Sequence, residues 1–384
     1  MKDKRSIVII APETLPLPPE EGGGVQTVIY EQSKRLRDYE LTIICPRGSG
    51  QEPEESLDHT CYRRIDVPAL KGKKQVRAEY IRLVAKIVKD IPACLIHVHN
   101  RPEFVLPIHS ARKDSSIILH MHNNHLAAIP LRKRKKVIDA CSRVVFVSQY
   151  LKERAVKGIK ISNQKLTVIH NGIDTEKFSP PGEEDHIRKV LRNQYGFNEK
   201  DIVMLYVGRI VREKGLLEII RAMKKVKRKQ LKLLVIGASK FGSDQMNLYE
   251  RLVRKQAKEM GESVRFIGYI PPDELPPYYQ MSDVFVSPFR WEEPFGLVIG
   301  EAASCGLPII TTRKGAIPEI IEHKKEGLLL PPRFNTSDLI AHLKKIMGNQ
   351  ELRERISCRA RKKISRHFTW EISAQNIEKV YQEG

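Results

Sequence analysis

Two acidic residues frame a Phe295-Gly296-Leu297 step in the stretch EPFGLVIGEAASCGLPII, Glu293 ahead of it and Glu301 beyond it. The run reads as a helix set between two buried strands, with Glu293 just before its start and Glu301 about two turns inside. Free N–H groups at such a helix start bind phosphate or sugar oxygens, and Gly296 allows a close approach. A carboxylate accepts hydrogen bonds from vicinal hydroxyls, so a ribose or a hexose matches both acids. Taken singly, Glu293 also reads as a helix cap and Glu301 as a solvated side chain, which leaves their joint pattern unexplained.

A cationic counterpart lies upstream. In LYVGRIVREKGLLEII, Arg209 directly follows a strand, and Lys214 stands next to Gly215 where a helix begins. A fork-shaped guanidinium and a compact ammonium converging on a helix N-terminus suit a diphosphate. The plainer reading is two surface cations in a basic protein. Near the start, PPEEGGGVQTVIYE places Gly22, Gly23 and Gly24 just ahead of a helix, where backbone N–H groups can meet an anion or a sugar. A flexible surface turn explains that loop equally well. It is not a GxGxxG fingerprint and lies far from its strand, which argues against a nicotinamide-dependent enzyme. Five histidines, His97, His99, His120, His122 and His125, fall close together in sequence. Histidines alternating along parallel strands more often line a pocket or pack in a core than hold zinc, so no metal is expected.

These residues need strands and helices to position them. SIVII (6–10), LTIIC (41–45), CLIHVH (94–99), SIILHMH (116–122), RVVFVS (143–148) and LTVIH (166–170) read as buried strands, with helical segments at 25–38 and 78–91. That alternation predicts a parallel sheet covered on both faces. The segment 174–200 carries Pro-Pro-Gly and mixed charge and reads as a linker feeding a short helix. Alternation then restarts through DIVMLYVG (201–208), LKLLVIG (231–237), SVRFIGY (263–269), DVFVSPF (283–289), LPIITT (307–312) and GLLLPP (327–332), and the tail from Asn335 is helical. Two successive α/β domains follow, as 384 residues also imply.

Composition narrows the partners. A formal net charge of +21 favours anionic ones: nucleic acid, acidic lipid, or phosphorylated small molecules. Aromatic residues make up only 7%, with no RNA-stacking platform or helix-turn-helix pattern, so no specific nucleic acid is expected. The run Arg132, Lys133, Arg134, Lys135, Lys136 reads as a solvated loop or helix start, or as a contact for anionic lipid headgroups or an acidic acceptor. Six scattered cysteines, Cys45, Cys61, Cys94, Cys141, Cys305 and Cys358, read as reduced residues in or near the core. No apolar run approaches the ~20 residues of a membrane span. SIVIIA reads as a first strand and not as a signal peptide, which predicts a cytoplasmic location.

In their order, GGGVQ, HMHNN, VIHNGID, VGRIVREKG, SDVFVSP, the two-glutamate stretch, GLPIITT and GAIPEIIEHKKEGLLLPP resemble the retaining, nucleotide-sugar-dependent glycosyltransferases of family 4 over almost the whole chain. HVHNRPEF and VIGASKFGSDQ are most similar to the spore-coat-associated glycosyltransferases of spore-forming bacteria. The resemblance implies a GT-B fold: two Rossmann-like parallel-sheet domains facing each other across a cleft, with a C-terminal helix crossing back to the first. Residues 1–180 with 369–384 would form the acceptor-side domain and 181–368 the domain binding the nucleotide-sugar donor. By the same resemblance Arg209 and Lys214 hold the donor diphosphate, Glu301 the ribose, and Glu293 faces the donor sugar. Phe295, Gly296 and Leu297 supply a backbone step at the sugar and phosphate, and Gly23 and Gly24 the first-domain loop. His122 stands beside the reacting sugar, with His120 as the alternative, and Gly268 and Tyr269 border the base. Lys314-Gly315-Ala316-Ile317-Pro318-Glu319 departs from the family's Gly-Gly before its late glutamate, which leaves Glu319 without a role. The implied activity is metal-independent hexosyl transfer to an unidentified glycan, lipid or protein. Two other classes stay open, a non-catalytic spore-coat structural protein that kept the fold and a nucleic-acid-binding protein.

Overall fold

The computed structural model describes residues 4–19, 22–67, 72–92, 95–182, 186–239 and 246–383. Cys94 and the KFGSDQ part of the 235–245 motif lie outside them. The chain forms two compact units, Met1–Gly172 with Trp370–Gly384, and Ile173–Thr369.

The first unit runs β1 (Arg5–Ile10), α1 (Gly24–Ser33), β2 (Tyr39–Pro46), β3 (Glu54–Leu57), β4 (Thr60–Ile65), α2 (Lys73–Asp90), β5 (Leu95–His99), α3 (Pro102–Ala111), β6 (Ser116–Met121), α4 (Leu131–Asp139), β7 (Arg143–Phe146), α5 (Gln149–Val156) and β8 (Leu166–Val168). Its sheet has the order β3-β4-β2-β1-β5-β6-β7-β8. Every pair is parallel except β3 on β4, which is antiparallel. That edge hairpin departs from the all-parallel expectation. EESL is mostly exposed and charged, so no apolar run announces it, and Asp58 turns the chain at φ 53°. The central strands are the opposite case: all five residues of β5 are buried, as a strand covered on both faces requires.

The second unit runs α6 (His186–Gln194), β9 (Ile202–Val207), α7 (Leu216–Val226), β10 (Leu231–Ile236), α8 (Leu248–Lys258), β11 (Val264–Gly268), α9 (Pro276–Met281), β12 (Val284–Ser287), α10 (Leu297–Ser304), β13 (Ile309–Thr312), α11 (Ile317–Ile320), β14 (Gly327–Leu330), α12 (Thr336–Gly348) and α13 (Gln350–His367). The sheet order is β11-β10-β9-β12-β13-β14, parallel throughout. Its core joins one face of that sheet to α7 and α12 through residues such as Tyr206, Ile220, Leu233, Leu339 and Leu343. The last helix, α14 (Trp370–Glu383), belongs to the first unit, where Ile377, Val380 and Tyr381 enter the core beside Ile7, Ile29 and Ile43. Gln32 Nε2 donates to Ser373 Oγ at 3.0 Å, and that hydroxyl donates to the His170 carbonyl at 3.0 Å.

The units divide at Gly172/Ile173, ahead of the 180/181 boundary read from the sequence. Residues 173–180 are tied to the second unit. Ile173 N donates to Phe368 O at 2.8 Å, Ser304 Oγ donates to Phe178 O at 2.5 Å, and the Phe178 ring meets Tyr279 edge-on at 5.6 Å. The expected linker also feeds a docked helix. Arg188 and Arg192 of α6 both reach the Asp283 carboxylate at 2.6 Å.

Candidate functional site

Among the parallel strands of each sheet the order reverses once, between β1 and β5 and between β9 and β12. Loops leaving the carboxyl ends of strands at such a point diverge and leave a crevice where ligands bind in open α/β sheets. The cations predicted from sequence leave β9, and the first of the two acids leaves β12.

After β9 the chain passes Arg209 and makes a single 3₁₀ turn, Arg212–Lys214, before Gly215 enters α7 in the left-handed conformation at φ 77°. A Cβ on Gly215 would stand 2.0 Å from the Pro288 carbonyl oxygen, so only glycine lets the two loops meet. Arg290 N closes the same contact by donating to Glu213 O at 2.8 Å. The result is a direct pair: Lys214 Nζ lies 2.8 Å from Glu293 Oε2. Trp291 Nε1 donates to the same oxygen at 2.8 Å. The ammonium also sits 4.8 Å from the Phe289 ring centre and 5.0 Å from that of Trp291. Glu293 is 8% exposed, and its carbonyl accepts from Ala316 N at 2.8 Å. It is therefore no helix cap. The residue capping α10 is Gly296, at φ 98°, with no side chain between the first-turn N–H groups and a ligand.

Glu301, on the second turn of α10, is not the solvated acid of the plainer reading. Tyr279 Oη donates to its Oε2 at 2.7 Å. Burial raises its pKa above the usual carboxylate value, with the Tyr279 hydrogen bond and the Lys177 charge opposing that rise. Arg209 is exposed, and its guanidinium has no ion pair among the described residues. The Phe295 side chain packs inward against Phe368 at 6.1 Å, so only its backbone is offered to a ligand. Leu297 opens α10, Gly268 ends β11 at φ 92°, and Tyr269 follows it half-buried. Glu319 is half-buried within α11, with Gly315 N donating to Glu292 Oε2 at 2.6 Å just before that helix.

In the first unit Gly23 caps α1 at φ 120°, and Gly24 is already its first residue. His122 follows the end of β6: it is 9% exposed, its N donates to Asn100 Oδ1 at 3.2 Å, and its Nε2 lies 3.0 Å from His99 Nδ1. Burial pushes its pKa down to about 3, so the ring is neutral. His120 has no exposed surface and lies inside the sheet face, which leaves His122 as the histidine at the strand mouth. Sequence reasoning missed a buried charge network at this edge. Glu13, past β1, meets Arg101, past β5, at 2.6 Å and Arg77 at 2.9 Å, and Arg77 also reaches Glu103 at 2.6 Å. Arg101 lies in the HVHNRPEF stretch, but nothing local marks Glu13 as its partner. The two cations hold Glu13 below the usual carboxylate value against the penalty of burial. The basic run is a helix, not a loop: Arg134 of α4 is buried, donating to the carbonyls of Ala127, Ile129 and Ala155, while Lys135 pairs with Asp139 at 2.6 Å. Among the described cysteines all are free thiols, with Cys358 exposed and so outside the expected core.

Two family models match the chain: one described as glycosyltransferase family 4 over residues 22–177, the other as glycosyl transferases group 1 over residues 187–363. Spore coat protein SA of Bacillus subtilis is 28% identical over 98% of this chain and 99% of its own length. Among solved structures, sucrose-phosphate synthase from Thermosynechococcus elongatus superposes with a TM-score of 0.83 at 20% identity, covering 99% of this chain and 98% of that one. Alr3699/HepE of Anabaena, solved in complex with UDP and glucose, superposes with a TM-score of 0.78 at 19% identity over 98% of this chain and 99% of that one. Both likenesses run through the two α/β units and identify the architecture as GT-B.

Proposed function

We propose that this chain, which belongs to the glycosyltransferases described by those two family models, moves a hexosyl group from a nucleotide-diphosphate sugar to an acceptor hydroxyl with retention at the anomeric carbon and without a metal ion. The observation that carries the reading is the Lys214–Glu293 pair at the β9/β12 crevice, beside the open first turn of α10. Cleaving a glycosyl–phosphate bond builds positive charge on the sugar and negative charge on the departing diphosphate. Arg209, Lys214 and the α10 amides answer the second charge, and answer it more strongly in the transition state than before it. Glu293 answers the first. Held by Lys214 and Trp291, it faces the sugar as a fixed anion, while Glu301, braced by Tyr279, takes the ribose hydroxyls. Attack by the acceptor from the same face as the leaving diphosphate retains configuration, passes the hydroxyl proton to the departing phosphate oxygen and needs no enzymatic nucleophile. With two cations on the diphosphate, the role of a divalent ion is already filled.

The acceptor is a glycan, lipid or protein of a cell-surface or spore-coat assembly, a proposal that the name of the Bacillus subtilis relative supports. In this reading the enzyme works in the cytoplasm, at the membrane periphery or on the forming coat. No helix among the described residues is long and apolar enough to cross a membrane. That relative's name equally favours a second reading, a coat structural protein that keeps the fold without turnover. A thermal-shift panel of UDP-, GDP- and ADP-sugars, followed by nucleotide-diphosphate release from whichever stabilises, separates the two. Stabilisation with release that Lys214→Ala abolishes supports the enzyme, and no release from any donor supports the coat protein.

A further inference from the structure

Strand pairing in the first unit stacks four histidines. His97 and His99 share one face of β5, the register sets His120 of β6 beside His99, and His122 follows one turn of the pleat later. Ring centres are 4.1 Å apart for His97 and His99, 5.1 Å for His99 and His120, and 4.4 Å for His120 and His122. Four ring nitrogens in this cluster have no hydrogen-bond partner among the described residues: His97 Nε2, both nitrogens of His120, and His122 Nδ1. A buried polar nitrogen without a partner has lost its water and gained nothing in exchange. So dense a group points to a bound species that would satisfy at least two of them, His97 Nε2 and one nitrogen of His120. One ligand atom each from His97, His99 and His120 lies within 4.8 Å of the others.

We propose that His97, His99 and His120 bind a divalent first-row transition-metal ion, with zinc the best match to three imidazoles. The tautomers agree. If His97 Nδ1–H donates to Tyr381 Oη at 2.6 Å, Nε2 is free for the ion; if His99 Nδ1–H donates to His122 Nε2 at 3.0 Å, His99 Nε2 is free too. Such outer partners orient metal-binding histidines generally. Tetrahedral Zn–N bonds of about 2.0–2.1 Å set ligand nitrogens about 3.4 Å apart, so nitrogens lying within 4.8 Å of one another close by up to about 1.4 Å on binding. Three neutral ligands leave a fourth position for water or hydroxide. The ion would tie β5 to β6 and, through Tyr381, to α14. It is a structural site within the first unit, one hydrogen bond from His122.

The test uses the full chain without an affinity tag, refolded with one equivalent of Zn²⁺ or Co²⁺ and passed through gel filtration in EDTA. One ion per chain by elemental mass spectrometry, with the visible d–d bands of histidine-ligated cobalt, is the expected result. His120→Leu and, separately, His97→Gln each lose the ion while far-UV circular dichroism stays native, and His186→Ala keeps it. If either ligand variant misfolds, the other decides. No retained ion in the native protein, or full retention in a folded ligand variant, overturns the site and leaves buried water as the occupant.

Discussion

Glu293→Gln tests the donor site most sharply, because two effects should move in opposite directions. In the native protein Lys214 is paired with Glu293 at 2.8 Å, so in the proposed site Arg209, Lys214 and Glu293 together would present one net positive charge to a diphosphate. Glutamine keeps the shape and still accepts from Trp291 Nε1, but frees Lys214 and leaves two positive charges. A charge-assisted hydrogen bond is worth about 1.5–3 kcal/mol. The ammonium has three donors and can serve both partners, so only part of that is released, on the order of 1 kcal/mol. Isothermal titration should therefore show the product nucleoside diphosphate binding about fivefold tighter. Turnover should fall instead, because the fixed anion facing the sugar is gone; the loss of one preorganised group costs about 3 kcal/mol, or about 100-fold. The readout is nucleotide-diphosphate release with the donor chosen by thermal shift. Unchanged or weaker diphosphate binding would show that Lys214 is not held back by Glu293, and near-normal turnover would remove Glu293 from the chemistry.

Lys214→Ala and Arg209→Ala should each lower kcat/KM by about 100-fold or more with native circular dichroism; a variant turning over normally takes that cation out of the clamp. Trp291→Phe removes one donor to Glu293 and part of the ring shelf under Lys214, so kcat/KM should drop about tenfold, and an unaltered value would mean Lys214 alone positions the acid. Arg101→Met strips a buried partner from Glu13 and should cost the fold about 3–5 kcal/mol, read as a lower urea midpoint. Because Glu301 has a raised pKa, it protonates at a higher pH than an ordinary glutamate. Donor affinity should thus fall on acidification from above the usual carboxylate range, and Glu301→Gln should abolish that acid limb. Release should proceed unchanged on adding Mg²⁺ or Mn²⁺, and strict dependence on either would overturn the metal-free chemistry.

The strands and most helices were legible because each is announced locally. Buried parallel strands must be nearly continuous apolar runs, and β1, β9 and β12 are. Lys214, Gly215 and Gly296 were legible for the same reason: a strand, a turn and a helix start lie within a few residues of one another. The chain's own order thus determined two α/β units and where their glycine-rich turns and charged loops fall. Partnership was another matter. Lys214 and Glu293 are 79 residues apart, Arg101 and Glu13 are 88 apart, and His97 and Tyr381 are 284 apart. Which strands lie side by side decides such meetings, because it is the adjacency of β9 with β12 and of β1 with β5 that brings their loops together. Tertiary contacts likewise make Arg134 of a basic run internal, on the carbonyls of Ala127, Ile129 and Ala155, and tie residues 173–180 to the second unit. Local pattern determines how each segment buries its apolar face; only the packed sheet decides which charges, left over on the loops, must neutralise one another.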